Sequence, residues 1–127
     1  MTTALTISAC KEQVRLDHDR LNLLYADVGL REAEDMLCRA MEELALRLGQ
    51  AERLWRGGEL QELRRCVRAL GAIAGQIGLD GIVAVARDVG ACVDRQDSVA
   101  LAAVLARLLR LGEASLSELW DSAVVNL

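Results

Sequence analysis

The sequence predicts an all-α protein, an antiparallel up-down-up-down four-helix bundle with a short N-terminal lid helix, and three observations carry that prediction. The 127 residues contain no proline and no phenylalanine, and the hydrophobic content of 53% rests on Leu, Ala and Val interleaved with Arg and Glu, which favours helix over strand. Apolar residues recur at steps of three and four along the longer segments. Short breaks separate those segments, and short connections oblige consecutive helices to run in opposite directions. A chain of this size fits one domain with a core that needs no staples. Residues 1–15 are expected to form a flexible N-terminus and residues 16–127 the bundle.

The lid is read from Asp17 to Asp27, where Leu21, Leu24 and Val28 share a helical face and Gly29 is a natural stop. The first bundle helix runs from about Leu30 to Trp55. Its apolar stripe is Ala33, Leu37, Met41, Leu44, Leu48, Ala51 and Trp55, with charged residues filling the other face. Gly57-Gly58 breaks it, because paired glycines weaken a helix and permit the positive backbone angles of a tight reversal. The second helix buries Leu60, Leu63, Val67, Leu70, Ala74 and Ile77 and ends at Gly78. The third, about Asp80 to Val93, buries Ile82, Val85, Ala86 and Val89. Asp97 or Ser98 caps the fourth, which carries Leu101, Val104, Leu105, Leu108, Leu111, Leu116 and Leu119 toward Trp120.

Composition narrows the function classes. Fifteen basic against nineteen acidic residues give a net charge of −4, which disfavours nucleic acid as the main partner. Cys10, Cys38, Cys66 and Cys92 form no C-x-x-C pair and have no histidines at ligand spacing, so neither zinc nor a disulfide framework is expected. Cys38, Cys66 and Cys92 fall within apolar helical patterns and read as small buried hydrophobes. The opening MTTALTISAC lacks a basic region followed by a long apolar core and does not read as a secretory signal. Ala69 to Ala86 has the length of a short membrane span, yet it holds Gln76, Asp80 and four glycines and reads better as two buried helices and a turn. The expected setting is cytoplasmic, with no membrane contact and no cofactor.

Two further patterns are explained by packing and solvation. Gly71, Gly75 and Gly78 have the density of a phosphate loop, but no strand precedes them and no Gly-Lys-Ser/Thr follows. Glu32, Glu34, Asp35, Glu42 and Glu43 give the first bundle helix an acidic side, with Arg31, Arg39, Arg47 and Arg53 as partners at helical spacing. A di-metal site would also need a Glu-x-x-His pair, which is missing, so no metal is expected.

The second helix is the informative one. Its run Arg68-Ala69-Leu70-Gly71-Ala72-Ile73-Ala74-Gly75-Gln76-Ile77-Gly78 resembles the core helix of histidine-containing phosphotransfer (HPt) domains, in which histidine, any residue, leucine, lysine and glycine precede small residues and then Asn or Gln, an aliphatic residue and glycine. Gly58-Glu59-Leu60 and Leu63-Arg64-Arg65 resemble the approach to that helix, and Leu16-Asp17 the domain's opening, so the likeness spans roughly residues 16 to 121. The resemblance places Arg68 where the family holds its phospho-accepting histidine, Gly71 where a lysine helps hold the phosphate, and Ala72 where a glycine leaves room beside the imidazole. A guanidinium stays protonated and has no lone pair with which to attack a phosphoryl group. The resemblance therefore implies a degenerate member that is not an enzyme and carries no phosphate. The one histidine, His18, sits between Asp17 and Asp19; flanking carboxylates favour its cationic form and repel a phosphoryl donor, so it reads as a solvated residue.

In such domains this face meets a response-regulator receiver domain or a histidine kinase. The partner-binding residues expected on it are Gln61, Arg64, Arg65, Arg68, Gly71, Ala72, Gly75 and Gln76, with Arg64 and Arg68 one turn apart and small residues beyond them for close approach. The rival readings are an ordinary solvated face, with arginines serving helix propensity and solubility, and a structural bundle that self-associates, giving a homodimer through Ala72 and Gly75.

Overall fold

A computed structural model describes residues 17–125. The expected flexible start at 1–15, together with Leu16 and Cys10, lies outside the described residues, and the side chain of His18 is outside them too. Five helices follow in order, α1 His18–Val28, α2 Leu30–Arg56, α3 Leu60–Gln76, α4 Asp80–Asp94 and α5 Ser98–Val125, and there is no strand among the described residues. Helix α2 packs on α3, α3 on α4, α4 on α5, and α5 returns to α2, while α1 rests on α2. One apolar cluster lies within this ring. Leu44, Leu63, Leu70, Leu79, Ile82, Leu105, Leu108 and Leu119 are its large, fully buried side chains.

The three connections between the long helices share one piece of backbone chemistry. After α2 the N–H groups of Gly58 and Glu59 donate to the carbonyls of Trp55 and Leu54; after α3 those of Gly78 and Leu79 donate to Gly75 and Ala74; after α4 those of Gln96 and Asp97 donate to Val93 and Cys92. This is the Schellman closure, which satisfies the last helical carbonyls and requires a left-handed residue at its centre. Gly58 and Gly78 fill that place at φ 71° and 79°, but after α4 the residue is Gln96 at φ 56°. A side chain there carries a left-handed penalty that glycine lacks. Gln96→Gly is expected to stabilise the protein by about 0.5–1 kcal/mol, read as a higher urea midpoint at unchanged slope; no gain would show that the Gln96 side chain has compensating contacts. The next residue, Asp97, caps α5 by accepting from the Ala100 N–H at 3.0 Å, as its position before the apolar run predicts.

Two glycines let elements approach closely. A β-carbon on Gly112 of α5 would stand 2.5 Å from Leu48 Cδ1 of α2, so glycine sets that crossing. At Gly78 the entering chain crosses the α3 turn, where the Asp17 N–H donates to the Gly78 carbonyl at 3.0 Å.

Three expectations of burial need correction. Trp55 and Leu60 were placed on the buried stripes, but both sit beside the α2–α3 reversal, where no further turn covers them, and each is exposed. Cys38 was read as a small buried residue and is exposed, because its position on α2 faces away from Leu37 and Leu44; Cys66 and Cys92 are buried as expected. No helix among the described residues is long and apolar enough to cross a membrane.

Candidate functional site

Helix α3 divides its residues by the helical period. Leu63, Cys66, Val67, Leu70 and Ala74 turn inward, leaving Arg65, Arg68 and Ala72 exposed on the remaining arc. Helix α4 divides likewise, with Ile82, Val85, Ala86 and Val89 inward and Arg87 and Asp94 exposed. Contacts between the two advance along α3 while retreating along α4. Arg64 meets Asp94, a β-carbon on Gly71 would lie 3.6 Å from Ala86 Cβ, and one on Gly75 would lie 3.6 Å from Val83 Cγ2. The same register sets Arg68 opposite Gly90 and Arg87 opposite Gly71.

Small residues at these crossings leave a groove of about 540 Å³ along the α3–α4 seam. Arg64, Arg68, Arg87 and Asp94 supply its charged lining, and the rest is Val67, Gly71, Ala72, Val83, Ala86, Gly90 and Ala91. Arg64 is engaged: its Nε donates to Asp94 Oδ1 at 2.8 Å and its Nη2 to Oδ2 at 3.3 Å, a forked pair joining the two helices. Both partners are substantially exposed, so the pair is worth no more than about 1 kcal/mol and serves to hold register. Arg65 is also occupied, by Glu62 Oε1 at 2.7 Å. Arg68 and Arg87 have neither a hydrogen bond nor an ion pair among the described residues.

Of the residues expected from sequence, Arg64, Arg68, Gly71 and Ala72 come together in the groove, whereas Gln61, Arg65, Gly75 and Gln76 lie outside its lining. Gln61 and Gln76 are exposed on α3, and Gly75 is half-buried against Val83. The arginine face is therefore not uniformly free, since Asp94 and Glu62 neutralise two of its members. The α4 contribution was missed altogether. Its signal is present as Arg87-Asp88-Val89-Gly90-Ala91, which repeats the charged, apolar and small pattern of Arg68-Ala69-Leu70-Gly71-Ala72.

The groove offers donors and apolar surface but no nucleophile. Cys66 of α3 is buried and lies outside the groove lining. Its Sγ–H has the Arg47 carbonyl at 3.3 Å and Gln50 Oε1 at 3.7 Å as acceptors, and burial pushes its pKa up against the opposing pull of Arg47 and Arg53. A buried thiol whose pKa is raised in this way behaves as a small hydrophobe. No three His, Cys, Asp or Glu side chains converge as metal ligands would among the described residues. Comparisons of the chain with protein-family models, curated proteins and solved structures give no match.

Proposed function

We propose that this protein is a noncatalytic interaction module of two-component phosphorelay signalling, an HPt-like antiparallel up-down-up-down bundle that docks on a response-regulator receiver domain or a histidine kinase without carrying phosphate. One observation carries the reading. Arg68, which the resemblance sets at the place of the phosphotransfer histidine, stands exposed and without a counter-ion among the described residues, on a small-residue groove of a chain whose net charge is −4. A receiver's phosphorylation pocket is a cluster of carboxylates, and a guanidinium directed into it would act as a charge-assisted plug. The partners set the location, which is the cytoplasm.

Titration of the purified protein against receiver and kinase domains from its own source tests the reading. Salt-sensitive binding is expected, and Arg68→Glu is expected to weaken it by at least about tenfold, since hydrogen bonds to charged groups are worth about 1.5–3 kcal/mol. The same variant should leave thermal stability within about 0.5 kcal/mol of wild type, because the side chain is exposed and unpaired. Undiminished affinity in Arg68→Glu would overturn the plug.

A second reading, self-association without a phosphorelay role, draws on the large apolar side chains left in solvent, among them Leu46 at 65% and Trp120 at 60% exposure. A dimer that survives dilution in sedimentation, with no receiver or kinase bound, would favour it.

A further inference from the structure

We infer that the groove is a two-point clamp, with Arg87 of α4 the equal of Arg68 of α3, and that its occupant is an acidic helical segment of a protein partner carrying two carboxylates and an apolar side chain. This rests on the docking role proposed above and goes further by naming a second anchor and the chemistry of what is bound.

The first argument is ionic. Several arginines on the long helices have a carboxylate in reach: Arg47 with Glu43, Arg56 with Glu52, Arg64 with Asp94 and Arg65 with Glu62. Arg68 and Arg87 line one groove from opposite walls and neither has such a partner among the described residues. Two like charges sharing a groove repel each other, and the groove's one carboxylate, Asp94, is already taken by both prongs of Arg64. The groove thus presents two positive charges that its own carboxylate does not offset.

The second argument is steric. Gly71 and Gly90 share the groove lining with Arg68 and Arg87 and contribute no side chain to it. A β-carbon on Gly90 would meet nothing within 4 Å, so the space beside it is open. A partner backbone can approach there, as it can wherever glycine removes the side-chain barrier.

The third argument selects the class of anion. The uncharged lining of the groove, Val67, Ala72, Val83, Ala86 and Ala91 with Gly71 and Gly90, has no polar side-chain atom to offer, and the mid-helix N–H groups are spent within α3 and α4. A lone phosphate would leave that lining uncovered. A nucleic-acid strand would bring more charge than two arginines match and would meet the repulsion of a net-negative protein. An amphipathic acidic helix satisfies both parts, with carboxylates on the arginines and an aliphatic side chain on the apolar lining.

The test uses the full chain, isotope-labelled, and an oligoglutamate peptide interrupted by single leucines, observed by amide and arginine Nε–H chemical shifts. Shifts are expected at Gly71, Ala72, Gly90 and Ala91 and at the Arg68 and Arg87 side chains, fading as salt is raised. Arg68→Ala and Arg87→Ala should each weaken the peptide by about fivefold or more and the double variant should erase the response, while Arg65→Ala, outside the groove, should leave it unchanged. An Arg87→Ala variant that binds like wild type, or shifts spread evenly over all surface arginines, would overturn the clamp. A single-stranded oligonucleotide run alongside should give no groove shifts; preferential binding of it would overturn the choice of occupant. Failure here is separable from failure of the docking role. If the clamp is wrong, a receiver or kinase still binds through Arg68 and ignores Arg87→Ala; if the phosphorelay role is wrong, the peptide still titrates the groove although no receiver or kinase binds.

Discussion

Leu70→Ala is expected to lower the stability of the protein by about 3 kcal/mol, within the range of about 2–5 kcal/mol for leucine truncations in packed interiors. Leu70 is 0% exposed and belongs to the single apolar cluster enclosed by α2, α3, α4 and α5. Alanine is a better helix former than leucine, so local propensity cannot account for a loss and the whole effect reports packing. For a small domain with total stability of about 5–15 kcal/mol, such a loss is a large fraction. Urea unfolding followed by circular dichroism measures it. A loss below about 1 kcal/mol would show that the inward stripe of α3 is not tightly packed. The comparison with Arg68→Glu is informative, since the two positions lie two residues apart on one helix yet face different media. One substitution should change folding and spare docking, and the other should do the reverse.

Gly78→Ala is expected to cost about 2 kcal/mol or more, and to do so unevenly. Two effects combine at this position. The residue is held at φ 79°, where an L side chain pays a left-handed penalty of about 1–2 kcal/mol. The added β-carbon would also stand 2.9 Å from Asp17 Cβ and 3.0 Å from the Asp17 carbonyl oxygen, and backbone atoms do not yield cheaply. Relief requires the entering chain to lift, which breaks the 3.0 Å bond from the Asp17 N–H to Gly78 and loosens the start of α1. Gly58→Ala is the control. Gly58 has a similar φ of 71° in the same type of reversal, but a β-carbon there meets nothing within 4 Å. The difference between the two variants isolates the clash from the backbone strain. Hydrogen exchange should show α1 losing protection in Gly78→Ala and keeping it in Gly58→Ala. Equal behaviour of α1 in both would mean that Asp17 does not tie α1 to the α3 turn.

Much of the helical layout was legible in the sequence because its determinants are local. The apolar period of three and four residues located α2 and α4 to within a residue, although α5 runs on to Val125, beyond the expected Trp120; Gly57-Gly58 and Gly78 marked two helix ends, and Asp97 marked the start of α5. What local reading misjudged lay at helix ends and on marginal positions. Trp55 and Leu60 fit the stripe, but periodicity does not say where the neighbouring helix stops covering it. Cys38 was judged by residue type in an apolar context, and its angular position on α2 decided otherwise.

The candidate site divides in the same way. Arg68 and its small-residue neighbours follow from the order of residues along α3, as does the absence of a nucleophile at that position, and the net charge of −4 follows from composition. These are properties of single side chains and of one helical period, and they need no partner element to be stated. That Arg64 is spent on Asp94, that Arg87 joins Arg68 across a groove, and that Gly112 admits Leu48 between α2 and α5 are relations between residues 19 to 64 positions apart. Such pairings depend on which helices become neighbours and in what register. The sequence by itself determined what each helix presents and what chemistry Arg68 cannot perform, whereas only the tertiary structure decided which charges are neutralised and which remain available, because that balance is struck between helices and not within one.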